Sequence, residues 1–451
     1  MNRSKGYLLK GRIIDGSLNP PIEQGAVVIE GERIAWVGQA LALPPQYNEH
    51  EYRLIDLPGR SILPGLIDAH THISFGESRS EEENALYTPV EFRTAKALYY
   101  ARKVLQGGVT SAFDAATTYA IAQAVRDAIE TGMFPGPRFT VSGKQITNHQ
   151  GLEDSFPSNM PFPEGQAAVL VKSRDDLVEA VRLQVKDGVD AIKVSGSNDN
   201  LITPDAQDVS AFTFEELKII ADETRRLGKI SSIHARSRVS ARDAALAGFD
   251  QIYHASYIDD EGIEACLKNG CVITPTLTLL VNLIEANQSE AGASSADAFK
   301  REVEAASVNL RRAYDAGVPL LAGSESGWSP VPYGQWHARE MQIFVDLLGL
   351  TPLQAIHANT LAVTRIVRRG HEIGKIEAGR LADLLVVPGN PAEDIRILQR
   401  PSSFDYIFKG GEPIDRTPPA PRPRMWYEKT KTFLGGLYIY DEQSGQGRLI
   451  T

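Results

Sequence analysis

The sequence predicts an α/β fold, a (β/α)8 TIM barrel with a smaller β-rich unit beside it. Two observations carry this. From residue 61 to about 370, eight apolar strand-like runs alternate with stretches whose apolar residues fall at helical spacing, the rhythm of a (β/α)8 barrel with insertions. Outside that span, both ends of the chain read as short strands. An open doubly wound sheet is the runner-up, but it normally shows a Gly-rich phosphate turn after an early strand, and this sequence has none.

Residues 1–60 read as a small all-β unit. A loosely alternating run over 7–14 comes first, followed by a hairpin whose turn is Glu30-Gly31-Glu32, between runs at 25–29 and 34–37. The barrel strands are expected at 61–68, 110–114, 138–142, 191–195, 230–234, 251–254, 272–276 and 319–323. Helical patterns over 175–186, 214–227 and 240–247 fill gaps between them. Strand patterns return in the 371–416 segment, at Leu384–Val387 and Tyr406–Phe408. A tail over 417–451 begins with a Pro-rich stretch, which favours an extended chain. It continues with Trp426, Tyr427, Phe433, Tyr438 and Tyr440, too many aromatics to leave wet. They are expected to pack on this chain or on a neighbouring copy, so a homo-oligomer is anticipated.

Composition excludes several classes. The 451 residues carry 57 acidic and 47 basic side chains, a net charge of −10, which disfavours a broad nucleic-acid surface. The apolar runs are shorter than the roughly 20 residues a membrane helix needs, and the N-terminus has no apolar signal region. Two cysteines, Cys266 and Cys271, provide no disulfide framework. A cytoplasmic protein acting on a small molecule, without nucleic-acid or membrane partners, is expected.

The chemistry lies in the histidines. Four of nine sit at predicted C-terminal strand ends, where barrel enzymes place their active sites. His70 and His72 end the first strand in Asp68-Ala69-His70-Thr71-His72; residues i and i+2 of a strand face one side, so both imidazoles can converge on one ion. His234 and His254 end strands five and six. Lys193 ends strand four. It is either a surface lysine or, if aimed into the barrel mouth, neutral or chemically changed, since a buried ammonium beside cations is costly. Glu325 follows strand eight, as a metal-binding and proton-handling carboxylate or as part of a Ser/Glu turn. Asp114 reads as structural, and His50, His337, His357 and His371 are assigned no chemistry.

These residues resemble the amidohydrolase superfamily over nearly the whole chain. The segments at 25–34, 63–72 (Leu-Pro-Gly-Leu-Ile-Asp-Ala-His-Thr-His) and 374–391 carry the likeness. Those at 191–196, 253–255 and 272–276 narrow it to the prolidase and imidazolonepropionase-like branch. The resemblance implies that the terminal strands form one β-sandwich. It also implies a pair of divalent ions with a bridging hydroxide, with zinc foremost and manganese, cobalt or iron as alternatives. His70 and His72 would bind the first ion, His234 and His254 the second, and a CO2-derived carbamate on Lys193 both. The strand-eight acid would bind the first ion and act as general base.

Two positions depart from the family pattern. Glu325 stands where the family almost always has Asp, which keeps a mononuclear site open. Arg236 stands where a second His is frequent; it would clamp a substrate carboxylate or form a structural ion pair. His149, after strand three, is a candidate to contact the substrate or polarise its carbonyl, with a loop histidine as the alternative. Tyr257 and Trp328 are candidates to line the pocket. The leading function is metal-dependent hydrolysis of a C–N bond in an amide, dipeptide, N-acyl amino acid, carbamate or urea. The alternatives are a mononuclear amidohydrolase or deaminase, against which Lys193 argues, and a non-catalytic scaffold, against which the persistence of all four histidines argues.

Overall fold

The computed structural model describes residues 4–48, 50–149, 151–198, 208–287, 293–428 and 436–450. Phe433, named above, lies outside these residues.

The chain opens with strands β1 (Gly6–Ile13), β2 (Ile22–Glu30), β3 (Arg33–Gln39) and β4 (Arg53–Pro64). The β2–β3 turn is tight because Gly31 takes φ +55°, a region that costs other residues a steric penalty. The strand anticipated over 61–68 is in fact two. Residues 61–64 finish β4, and a new strand, β5 (Leu66–Thr71), starts after Gly65. A Cβ on Gly65 would lie 2.2 Å from the Thr110 hydroxyl, so the chain can cross between sheets here only as glycine.

Seven further strands follow: β6 (Val109–Asp114), β7 (Arg138–Val141), β8 (Gln145–Thr147), β9 (Ala168–Leu170), β10 (Ala191–Ser195), β11 (Ile230–Ala235) and β12 (Gln251–His254). Then come β13 (Val272–Thr274), β14 (Leu384–Pro388), β15 (Tyr406–Lys409), β16 (Glu412–Pro413), β17 (Leu437–Asp441) and β18 (Gln446–Ile450). Helices α1 (Val90–Gln106), α2 (Ile121–Glu130), α3 (Arg174–Lys186), α4 (Phe214–Arg226), α5 (Arg238–Ala247) and α6 (Asp260–Asn269) alternate with the central strands. Their ends are set locally. Ser173 caps α3, Thr213 and Glu216 form a capping box on α4, and Gly248 and Gly270 close α5 and α6 in the left-handed region. Helix α7 (Leu277–Asn287), the long α8 (Ala293–Ala316), and then α9 (Arg339–Asp346) and α10 (Pro352–Ala358) complete the set.

The terminal strands join in one seven-stranded sheet of order β16-β15-β14-β4-β1-β2-β3. The central strands form a parallel three-stranded sheet, β5-β6-β7, and a parallel six-stranded sheet, β13-β12-β11-β10-β8-β9. The β8–β9 pair was not anticipated from the sequence. Single bridges link these sheets: Ser142 with Ala191, Ile273 with Leu320, and Thr71 with Ser326. The eighth expected strand, 319–323, is therefore held by bridges rather than a ladder. The main apolar core fills the space between central strands and helices, with Val141, Ile192, Ile233 and Ile252 facing Leu177, Leu217 and Ala244. The tail hairpin β17–β18 packs on its own chain. Tyr438 stacks 5.6 Å from Trp336, and Tyr438 and Tyr440 share a cluster with Leu279 and Leu283 of α7.

Candidate metal centre

Parallel ladders bring the strand ends together. Ser195 pairs with His234, and Ala235 with His254, so β10, β11 and β12 end side by side. Across from them, the Glu325 amide donates to the His70 carbonyl at 2.7 Å, and the His72 amide to the Ser326 carbonyl at 2.8 Å. His70, His72 and Glu325 each place one ligand atom within 4.8 Å of the others, and all three are buried. His234 lies 4.6 Å from His254, and His70 5.6 Å from His254, between ring centroids. The Lys193 nitrogen sits 3.5 Å above the Tyr253 ring.

The imidazoles are fixed from behind. His70 Nδ1 meets the Thr276 hydroxyl at 2.9 Å, His72 Nδ1 the Ala116 carbonyl at 3.3 Å, and His254 Nδ1 the Pro275 carbonyl at 3.2 Å. His72 also stacks on Phe75 at 4.3 Å. The Nε2 atoms of His70, His234 and His254 are buried with no hydrogen-bond partner among the described residues. An unsatisfied buried polar atom costs about 1–3 kcal/mol, so three in one place call for partners the protein itself does not supply. An Nδ1 held by a protein oxygen with the other nitrogen left over is the usual setting of a metal-binding histidine. The donors are imidazole and carboxylate, and they fit a divalent cation. Burial, reinforced by Lys193, pushes His72 down to about 3, and burial lowers His70, His234 and His254 as well; all four are therefore neutral, the form that donates to a metal. Burial likewise lowers Lys193.

Backbone strain concentrates at the same strand ends. His254, Ala255, Thr276 and Glu325 take φ of 70°, 52°, 56° and 60°, a region L-residues rarely adopt. Each costs on the order of 1–3 kcal/mol and persists only where the surroundings over-determine it.

The site opens into a cavity of about 340 Å³ lined by His70, His72, Lys193, His234 and Glu325. Phe75, Trp328, Leu279 and Leu283 supply its apolar wall, and Glu81, Glu82 and Glu153 its acidic one. Trp328 is thus on the lining, edge-on to Phe75 at 4.9 Å. His254 is buried behind it, against His234. Three other candidates lie off the lining. His149 is exposed on the turn after β8 and meets Asp154 at 3.3 Å. Arg236 is buried in an ion pair with Glu302 at 2.8 Å, an oxygen that also accepts from the Ser256 hydroxyl. That contact matches the structural alternative for Arg236. Tyr257 is half-buried beside it, its hydroxyl pushed up to about 12 by burial and then by Glu302.

Sequence reasoning missed the residues that hold the site from behind. Asp68, Thr276, Ser324 and His337 contact its backbone or side chains, and Glu340 caps the start of α7 through the Leu277 and Thr278 amides. For Asp68 the signal was its place two residues before His70. For His337, 13 residues beyond Ser324, no spacing rule would have found it.

Residues 61–414 match the Amidohydrolase family. The ochratoxinase of Aspergillus niger is 27% identical over 418 residues, spanning 89% of this chain and 85% of the relative. Its crystal structure superposes with a TM-score of 0.80 over 91% of this chain and 96% of that one, at 26% identity. The imidazolonepropionase of Geobacillus sp. (strain WCH70) is 27% identical over 400 residues, 81% of this chain and 84% of the relative. A Xaa-Pro dipeptidase structure with methionine in its active site matches with a TM-score of 0.77 at 25% identity, over 91% of this chain and 99% of that one. A match over most of the chain, with buried histidines at the strand ends inside it, means that this chain belongs to the amidohydrolase family.

Proposed function

We propose that this protein hydrolyses a carbon–nitrogen bond of a small molecule with the help of divalent metal. The observation that carries the reading is the gathering of His70, His72 and Glu325 within 4.8 Å, beside buried imidazoles whose Nε2 atoms have no protein partner. The similar proteins named an ochratoxinase, an imidazolonepropionase and a Xaa-Pro dipeptidase support an amide-type substrate, and a carbamate or urea is within the same chemistry. His70, His72 and Glu325 would hold one ion, and His234, His254 and a carboxylated Lys193 would complete a second. Such ions lower the pKa of water toward about 7 and polarise the scissile carbonyl. The chain's own residues do the rest. Phe75 and Trp328 hold the apolar part of the substrate and exclude water. The Glu325 carboxylate accepts the proton of the attacking water and returns it to the departing nitrogen. His149, Arg236 and Tyr257 receive no substrate contact in this reading.

A one-ion site is the second reading. It is favoured by a specific observation: among the described residues, only His70, His72 and Glu325 form a ligand group this tight. Elemental analysis separates the two, with two equivalents per chain for the first and one for the second. Zinc is the ion we expect, with manganese, cobalt and iron accepted by the same donors.

The bridges at Ser142–Ala191, Ile273–Leu320 and Thr71–Ser326 support reading the central strands as one (β/α)8 barrel. The shared seven-stranded sheet supports a companion β-sandwich domain built from the 1–60 and 371–416 segments, with 417–451 as an arm. Two buried free thiols, Cys266 and Cys271, favour a reducing compartment such as the cytoplasm. Trp426, 78% exposed, favours a homo-oligomer, which light scattering will test.

The deciding experiment is a hydrolysis screen of N-acyl amino acids, dipeptides, carbamates and ureas with metal-reconstituted protein. Turnover that disappears on chelation and returns with metal is expected; equal turnover by metal-free protein would overturn the reading.

A further inference from the structure

Beneath Glu325 lies a buried polar knot. The Asp68 carboxylate accepts four hydrogen bonds: from the His70 amide at 3.0 Å and the Ser324 amide at 2.9 Å on Oδ1, and from the Ser324 hydroxyl at 2.5 Å and His337 Nδ1 at 2.7 Å on Oδ2. The Ser324 oxygen in turn accepts the Ser326 amide at 3.1 Å. Asp68, Ser324 and His337 are all essentially excluded from solvent. His337 Nε2 accepts the Gly334 amide at 3.0 Å, which fixes the tautomer and leaves the proton on Nδ1, facing Asp68.

Ser, His and Asp are the residue types of a nucleophilic triad, but the wiring excludes that role. The serine hydroxyl donates to the carboxylate rather than to an imidazole, and buried Ser324 is not on the cavity lining. The network instead brackets Glu325. Ser324 and Ser326 flank it on both sides, and the Glu325 amide is tied to the His70 carbonyl. Glu325 itself is held at φ 60°, which a glutamate does not adopt unless its neighbours impose it.

We infer that Asp68, Ser324 and His337 are positioning residues: they force the turn after the last central strand into the left-handed conformation that sets the Glu325 carboxylate beside His70 and His72. His337 is the outermost member and gives Asp68 its only side-chain N–H donor among the described residues. This inference rests on the proposed role of Glu325 for its kinetic arm, but not for its metal-binding arm.

The test compares His337→Leu, which removes the donor, with His337→Asn, whose amide nitrogen can stand where Nδ1 stood. Ser324→Ala is the second site, should His337→Leu fail to fold. Cobalt(II) affinity is titrated by its visible absorption, and kcat and KM are measured on folded, cobalt-loaded protein. Expected are a loss of about 10–100-fold in cobalt affinity or kcat for His337→Leu and Ser324→Ala, the usual effect of removing a residue that orients a metal ligand. KM should stay within about 2-fold, and His337→Asn should recover most of the loss. A purely structural role would lower the melting temperature but leave cobalt affinity and kcat of the folded fraction at wild-type values, and that result overturns the inference. Equal impairment of His337→Asn and His337→Leu overturns it too. If wild-type protein binds cobalt but hydrolyses no tested substrate, the hydrolase reading fails and the cobalt titrations alone judge the positioning role. If it binds no cobalt, both fall.

Discussion

The two halves of the candidate centre are built by different means. His234 and His254, with Lys193, sit on neighbouring strands of a continuous parallel ladder, β10-β11-β12. The ladder ends these strands side by side, at spacings of about 4.8 Å. His70, His72 and Glu325 come from segments joined only by a single bridge and a few backbone hydrogen bonds. There, side chains replace the ladder: Asp68 and Ser324 stitch the segments together, and His70, His72 and Glu325 end up with one ligand atom each within 4.8 Å of the others. A ladder gives robust placement at a fixed spacing, whereas a stitched turn gives a tighter cluster that depends on a few buried contacts. In the proposed two-ion reading, a carboxylated Lys193 would be the anionic bridge between the two halves.

The largest effect tests the stitched half. Glu325→Gln should keep the fold and lower kcat by about 10²–10⁴-fold at matched metal content. Near-wild-type turnover would remove Glu325 from proton transfer. Glu325→Asp should be impaired as well, because the left-handed turn is set for the longer side chain and positioning matters on a scale of ~1 Å. The ladder half is tested by Lys193→Ala. Elemental analysis should show one ion lost and the ion on His70 and His72 kept; retention of both would mean that the ladder half binds without a bridge. Lys193→Arg should not restore the second ion, because arginine stays cationic.

Chelation compares the halves through stability. Ions that bind only the folded protein stabilise it by about 2.7 kcal/mol at a hundredfold excess over Kd. Metal removal should lower the melting temperature of wild type more than that of Lys193→Ala, and equal shifts would argue that only the stitched half is ever loaded.

The smallest effect at neutral pH concerns a third polar cluster, outside the ligand set of both halves. Glu428 of the arm is fully buried against Lys96 at 2.6 Å and Arg422 at 2.7 Å, while Arg424 holds Glu83 at 2.6 Å. Burial pushes the Glu428 carboxyl up, but Arg422 and Lys96 outweigh this and hold it down to about 2. Burial lowers Lys96, so within the Lys96–Glu428 pair the carboxylate alone carries a favourable shift. A depressed carboxyl pKa stabilises the fold above the ordinary value of about 4.5, and that contribution drains away as pH falls toward 2. Glu428→Gln should reduce stability at pH 7 and flatten its decline between pH 4.5 and 2, with kcat unchanged. A parallel decline in both proteins would show that the pair contributes nothing.

Much of this was legible in the sequence, and the reason differs by element. Gln251–His254 appears as a strand at its predicted limits, and the helices over 174–186 and 214–226 fall within a residue of expectation. Their apolar periodicity and capping residues are local signals. The split at Gly65 escapes the sequence reading because apolar residues stand on both sides of Pro64-Gly65, although that dipeptide is itself a break signal; the close approach of Thr110 shows why the glycine is needed there. The β8–β9 pair was missed because three-residue strands carry too little periodicity to read. The aromatic tail was expected to be covered. That Tyr438 and Tyr440 land on Trp336 and α7 of the same chain was beyond a sequence reading.

For the site, His70, His72, Lys193, His234 and Glu325 could be nominated because strand ends are local features, and the structure sets them on one cavity. His149 and Tyr257 were nominated by the same logic and lie off it, since a loop's path depends on what it packs against; His149 turns outward to Asp154. For Arg236 the sequence offers two kinds of partner, and the pairing with Glu302, 66 residues away in sequence, is visible only in the structure. The sequence by itself determined the alternation of strands and helices and the residue types at the strand ends, because both follow from periodicity and short-range chemistry. Only the tertiary structure decided which donors converge, which cation is already paired, and that Asp68 reaches 269 residues along the chain to His337. Those outcomes depend on contacts between segments whose separation no local pattern encodes.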